Sequence, residues 1–179
     1  MAKYVECLWT EGSILWWRGM IFVTVGTHTA GFNRLVEAAD VYAATTTETV
    51  IVQKGSSSYI PKFAEYFDFA SSDKIHELSE GARVIITHAG AGSVLTSLSS
   101  NASVVVVPRQ RRYHEHVDDH QFELAEAIHN EGKGYMIVHI ENLGGLLAEL
   151  PESRSYQKQT EVPLLAYLKE RISTLAQSL

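Results

Sequence analysis

The chain has little with which to staple itself, cross a membrane or grip a polyanion. Of its 179 residues one is cysteine, Cys7, so no internal disulfide is possible and a reducing compartment is expected. Lys and Arg number 15 against 21 Asp and Glu, a formal charge of -6, which argues against a duplex-binding face; no nucleic-acid partner is expected. No stretch reaches the roughly 18 to 20 apolar residues that span a bilayer. The longest candidate, residues 14–25, is broken by Arg18 and Gly19. Glu6 and Glu11 fall where a secretory leader carries basic and apolar residues, so a cytoplasmic protein is expected.

What is present is a globular composition, 45% hydrophobic and 20% charged, in a length that suits one domain. Residues 1–19 stand apart. They hold all three tryptophans, Trp9, Trp16 and Trp17, show no period, and read as an N-terminal extension. From Met20 onward strand and helix signals alternate. Residues 20–25, 49–53, 66–69, 84–87, 104–107 and 135–138 read as short strands rich in β-branched residues. Residues 32–44, 72–80 (with Ser72 as N-cap), 93–99, 120–130 and 141–150 read as helices. A polar stretch follows Pro151, then a helix over 162–177. Alternation of this kind builds βαβ units and a parallel sheet, and continuously apolar strands indicate a sheet covered on both faces. The expected fold is therefore α/β, a doubly wound, Rossmann-like parallel sheet over residues 20–150, with a polar linker and C-terminal helix over 151–179.

In such a sheet ligands bind at the carboxyl ends of the strands. The first loop there, Gly26-Thr27-His28-Thr29-Ala30-Gly31, opens a helix but has neither the Gly-Lys-Ser/Thr of a Walker A loop nor the third glycine of a dinucleotide fingerprint. It reads equally as a phosphate cradle and as a tight turn. The second, residues 53–59, offers Lys54 and three serine hydroxyls to a ligand, or is a polar loop. The most distinctive is Thr87-His88-Ala89-Gly90-Ala91-Gly92-Ser93. Gly90 and Gly92 allow close backbone approach, Ala91 keeps the cup open, and Ser93 begins a helix whose free N–H groups attract phosphate. His88, at the strand's end, points into the crevice. The fourth loop, residues 109–121, carries Arg109, Arg111 and Arg112, which fit a phosphate-rich ligand or an anionic surface. Its His114-x-His116-x-Asp118-x-His120 run resembles that of metallo-β-lactamase-like hydrolases, with one residue too many before the last His. That residue turns His120 off a coordinating direction, and no metal is expected.

Taken in order, Phe22-Val-Thr-Val-Gly-Thr27, Phe32-Asn-Arg-Leu-Val36, His88-Ala-Gly-Ala-Gly-Ser93, Val107-Pro108-Arg109 and His116-Val-Asp-Asp-His-Gln121 with Glu123-Leu-Ala125 resemble the C-terminal domain of glycosyltransferase family 28. Its small single-domain members include the PssE-like subunits of exopolysaccharide synthesis and the soluble subunit of the two-part transferase that adds the second N-acetylglucosamine to dolichol-linked sugar, and Gln53, Gly55 and Ser58-Tyr-Ile-Pro61 resemble the PssE-like branch. The resemblance covers residues 20–150 and implies the C-terminal half of a GT-B glycosyltransferase. By that resemblance the chain is the donor-binding subunit of a hexosyl- or N-acetylhexosaminyltransferase and binds a UDP-sugar. A membrane-anchored partner subunit holds a polyprenyl-linked acceptor, and the chain touches the membrane only through that partner. Gly26, Thr27, His88, Gly90, Ala91, Gly92 and Ser93 would hold the diphosphate with Arg109 nearby, and Gln121, with His120 or Asp119, would face the sugar hydroxyls. No metal or other cofactor is implied. The general base would come from the partner, with His28 the in-chain candidate. In one respect the sequence departs from the pattern. MurG-like members carry a ribose-binding Glu where this chain has Thr96, which offers one hydrogen bond rather than two, and residues 97–103 are polar for a core-facing helix. Both features suit a second reading, a non-catalytic scaffold or regulatory module that keeps the fold.

Overall fold

A computed structural model describes residues 19–151. Cys7, the three tryptophans and the helix expected over 162–177 lie outside the described residues.

Six strands form one fully parallel sheet: β1 (Ile21–Thr24), β2 (Val50–Gln53), β3 (Glu65–Phe67), β4 (Val84–His88), β5 (Ser103–Val107) and β6 (Tyr135–Met136). Their spatial order is β3-β2-β1-β4-β5-β6. The chain therefore winds outward in one direction from β1 and in the other from β4, and the crevice between those two strands is the topological switch point. Among the described residues five α-helices connect and cover the sheet: α1 (Asn33–Ala43), α2 (Ser72–Gly81), α3 (Ala91–Ser99), α4 (Gln121–Asn130) and α5 (Leu143–Glu149).

Strand pleating divides the apolar runs between two cores. Ile21, Val23, Val84, Ile86, Val105 and Val107 point to one face, under Leu35, Val36 and Ala39 of α1 and Leu143 and Leu147 of α5. Phe22 and Ile85 point to the other face, under Leu78 of α2. Val104 and Val106 do the same under Val94 of α3 and Ala125 and Ile128 of α4. Both faces are covered, which is why these strands read as unbroken apolar runs rather than as alternating ones.

Several boundaries differ from expectation for local reasons. The cap of α2 is Ser71, whose hydroxyl accepts the Lys74 N–H at 3.3 Å, and not Ser72. The helix after β4 starts at Ala91, two residues before Ser93, so the glycine segment is the first turn of α3 rather than a loop ahead of it. The polar run 97–103 is accommodated within the backbone: Ser97 donates to the Ser93 carbonyl at 2.7 Å, Ser99 to Leu95 at 3.0 Å and Ser100 to Ser97 at 2.7 Å. This is the back-bonding that lets buried hydroxyls sit in a helix.

The segment between β2 and β3 has no helix of its own and hangs on one carboxylate. Asp40 of α1, 1% exposed, accepts the N–H groups of Lys62, Phe63 and Ala64 and the Tyr59 hydroxyl, all within 2.9 Å. Burial raises its pKa, but these donors outweigh it and hold the carboxyl below its ordinary value. Asp40→Ala leaves four donors facing a void, and chemical denaturation should show a loss of about 1–3 kcal/mol.

Candidate functional site

An open cleft of ≈ 520 Å³ lies over the carboxyl ends of β1, β2 and β4. Thr24, Gly26, Thr27 and His28 line it from the first strand and its loop, Gln53 from the end of β2, and His88 from the end of β4. Gly90, Ala91, Gly92, Ser93, Thr96 and Ser97 form one wall along the start of α3, and Ala70, Ser72, Ile75 and Ser79 form the opposite wall along α2. Two distant sequence segments, the first glycine loop and the His88 loop, thus meet at the switch point.

Helix N-termini gather along this edge, and of the two that line the cleft, α2 is capped by the Ser71 side chain and α3 is open. At α1 the Ser57 hydroxyl accepts the Phe32 N–H at 2.8 Å, and Asn33 brackets the same loop through Ser58 and the Tyr59 N–H. The serine loop therefore packs against the start of α1, whose first turn does not line the cleft. Lys54 is likewise committed, to the Ser57 carbonyl at 3.1 Å and to Asp68 at 2.7 Å. At α3 the cap is Gly90, with no side-chain hydrogen bond to the first turn. The amides of Ala91, Gly92 and Ser93 have no partner within the helix and face the cleft at the positive end of its dipole.

His88 sets the spacing of the site. A Cβ built on Gly26 would stand 2.4 Å from its ring, and one built on Gly90 would stand 2.2 Å from it, so both glycines are needed for the ring to lie between their backbones. Gly26 also has a left-handed φ of 74°, which disfavours any other residue. Gly92 differs: a Cβ there meets nothing, so what it keeps clear is the cleft itself. The His88 ring is 9% exposed and its Nδ1 has no hydrogen-bond partner. Burial pushes its pKa down to about 4 from 6.5, the Arg109 charge adds to the effect, and the Thr24 backbone opposes it. The ring is neutral at physiological pH.

Arg109 does not face the cleft. It is 0% exposed, and its guanidinium lies beneath the first glycine loop. Nη1 donates to the carbonyls of Ala30, Gly31 and Glu115 at 3.0 to 3.1 Å, Nη2 to Val25 at 2.9 Å, and the group stacks 4.8 Å from the Phe32 ring centroid. Burial lowers its pKa to about 10, Glu115 countering, so it stays charged. Arg34 and Glu115 brace the same region through paired 2.9 Å contacts. Three other expected residues are also drawn away from the cleft. Gln121 accepts the Arg109 N–H through Oε1 at 3.1 Å, and Asp119 accepts the Arg111 N–H at 2.9 Å. His120 is exposed beside Asp118 and Glu123, at 4.0 and 3.8 Å.

The remaining expected residues do line the cleft, with roles their hydrogen bonds refine. His28 accepts the Ala30 N–H through Nδ1 at 3.0 Å, so its neutral ring carries the proton on Nε2 and presents a donor rather than a base. Its ring lies 5.2 Å from that of His116. The Thr96 hydroxyl gives its proton to the Gly92 carbonyl at 3.1 Å, leaving only an acceptor toward a ligand. Thr24 and Gln53 were not singled out as cleft residues from sequence, although polar residues ending apolar strands are the signal that marks them.

The model of the glycosyltransferase family 28 C-terminal domain matches residues 20–170. The chain belongs to this family. The UDP-N-acetylglucosamine transferase subunit ALG13 of Mus musculus is 33% identical over 122 residues, and that of Homo sapiens 32% identical over 125; the matches cover 62% and 63% of this chain. The chain spans about a tenth of the length of these curated relatives, 10% in each case. Among solved structures, the glycotransferase of kitacinnamycin superposes with a TM-score of 0.58 at 21% identity, covering 89% of this chain and 38% of that one. Calicheamicin glycosyltransferase CalG4 gives 0.58 at 18%, covering 76% and 34%. MurG of Acinetobacter baumannii gives 0.51 at 19%, covering 72% and 40%. The fold is the Rossmann-like half of a GT-B glycosyltransferase.

Two measurements follow from the site's supports. Arg109→Met, and Arg109→Lys with its single ammonium, should each lower stability by more than about 3 kcal/mol in denaturant titrations, because backbone carbonyls are left bare in the core. For His88, both folded and unfolded states are neutral above pH 6.5; below it the unfolded chain takes up a proton that the folded chain refuses until about pH 4. Stability should therefore fall across that window by about 3 kcal/mol, and His88→Asn should flatten that part of the profile.

Proposed function

We propose that this chain is the donor-binding half of a UDP-sugar glycosyltransferase, completed by a second, membrane-anchored subunit that holds a polyprenyl-linked acceptor. The observation that carries this reading is the uncapped first turn of α3 opening on the cleft at the switch point, beside His88. Family membership supplies the reaction class, and the curated relatives are named as transferase subunits. A nucleoside diphosphate fits the arrangement. Its phosphates lie on the amides of Ala91, Gly92 and Ser93, with the Nε2–H of His28 as a further donor and the His88 ring alongside. The nucleoside lies between α2 and α3, and the sugar extends outward toward the start of α4, where Gln121 keeps its amide nitrogen free of Arg109.

The chemistry asked of this half is leaving-group stabilisation. As the sugar–phosphate bond lengthens, negative charge collects on the departing diphosphate. Fixed N–H groups and a helix dipole already oriented toward it need no reorganisation. The proton acceptor for the attacking hydroxyl comes from the partner, since His28 presents a donor.

The scaffold reading keeps one observation in its favour, the weakened hydrogen-bonding capacity of Thr96 toward ribose. Calorimetry separates the two: the donor-site reading expects saturable UDP binding by the isolated chain with negligible transfer until the partner is added. No heat up to millimolar UDP would leave the scaffold. Gly92→Ala is the sharper probe. It should hold or raise thermal stability, by up to about 1 kcal/mol for Gly→Ala in a helix, while weakening UDP by about tenfold or more as the methyl enters the cleft.

A further inference from the structure

Beyond the α3 amides the cleft floor holds a second polar device, built on Gln53. This side chain ends β2 and is 4% exposed, yet it lines the cleft. Its orientation is determined by a chain of two hydrogen bonds. The Gly26 N–H donates to Thr24 Oγ1 at 3.3 Å, occupying an acceptor position on the hydroxyl, and the hydroxyl proton is given to Gln53 Oε1. The amide's carbonyl end therefore faces the strands, and its Nε2 end faces the cleft. Nε2 has no hydrogen-bond partner among the described residues, so a side chain held from below presents two N–H donors at the cleft. Such donors form their strongest bonds to anionic acceptors.

We propose that Gln53 is a binding residue for the nucleoside diphosphate, its Nε2 donating to a phosphate oxygen; the proposal rests on the donor-site reading above. Three features fit an anionic acceptor. Nε2 donates only. The acceptor end of the amide is already committed to Thr24. The nearest cation in sequence, Lys54, is turned away and bonded to Asp68, so it does not compete for the anion. Dinucleotide enzymes with this strand order commonly use an acidic residue in this region to accept ribose hydroxyls. Here the polarity is reversed: a held amide offers hydrogens to an acceptor.

Charge substitution at constant shape tests the assignment. Gln53→Glu keeps the Thr24 hydrogen bond and replaces Nε2 by an oxygen that repels phosphate but would welcome a hydroxyl. Calorimetry with UDP at neutral pH should show Gln53→Leu about 10- to 100-fold weaker than wild type, and Gln53→Glu weaker still. Thr24→Val, isosteric and remote from charge, should lose about 3- to 10-fold by releasing the amide's orientation. It also keeps the test open if Gln53→Glu fails to fold, which far-UV circular dichroism would reveal. Gln53→Glu binding UDP as tightly as wild type, or more tightly, overturns the assignment in favour of a hydroxyl contact; an unchanged Gln53→Leu overturns it outright. Wild type that binds no UDP removes the donor-site reading itself, an outcome distinct from wild type that binds beside unaffected Gln53 variants.

Discussion

The cleft depends on a buried guanidinium. Arg109 ties four carbonyls from three stretches of chain, the end of β1, the first glycine loop and the turn before α4, into one layer beneath the ligand edge. None of these carbonyls has a ladder partner, since each lies where its strand or turn has stopped. Burying a charge to satisfy them is favourable only because the planar fork reaches all of them at once and Phe32 covers its face. With Arg34 and Glu115 braced alongside, the glycine loop is held from below while its upper surface stays open.

This division between a rigid underside and an open edge explains how the two glycine loops differ. The β1–α1 loop looks like a phosphate cradle, but the first turn of its helix does not line the cleft, and the loop is packed so closely on the serine loop that a Cβ at Gly31 would lie 3.0 Å from the Ser57 backbone. The α3 turn receives no such cover. A protein of this architecture offers several helix N-termini, and the one suited to an anion is the one left both uncapped and facing the cleft.

The fold was legible in the sequence because the apolar runs are short, β-branched and evenly interleaved with helical periods, and a sheet buried on both faces needs that pattern. The glycine segment, His88 and Thr96 were legible as cleft positions because they follow the carboxyl end of a strand beside the switch point. Arg109 was misplaced because composition and position cannot distinguish an arginine aimed at a ligand from one aimed at bare carbonyls. Asp119 and Gln121 were drawn into backbone hydrogen bonds of the same turn, partners that no side-chain motif discloses. Gln53 lay in plain view at a strand end. Its free Nε2 becomes visible only once the register sets Thr24 beside it.

The charge of the site follows from these placements. The chain carries a formal charge of -6, yet among the described residues no Asp, Glu, Lys or Arg lines the cleft. A full positive charge, Arg109, lies beneath the first glycine loop, and its field adds to burial in holding the His88 pKa down. An incoming anion therefore meets neutral donors at contact distance and a cation behind them. Contact cations would bind a diphosphate tightly both before and after the bond to the sugar breaks. Neutral, fixed dipoles over a buried charge reward the increase in negative charge on the leaving group while retaining the product less strongly. On the proposed reading, a transferase half that must release its nucleotide on each turnover is served by that arrangement, which requires the guanidinium to stay where no ligand can touch it.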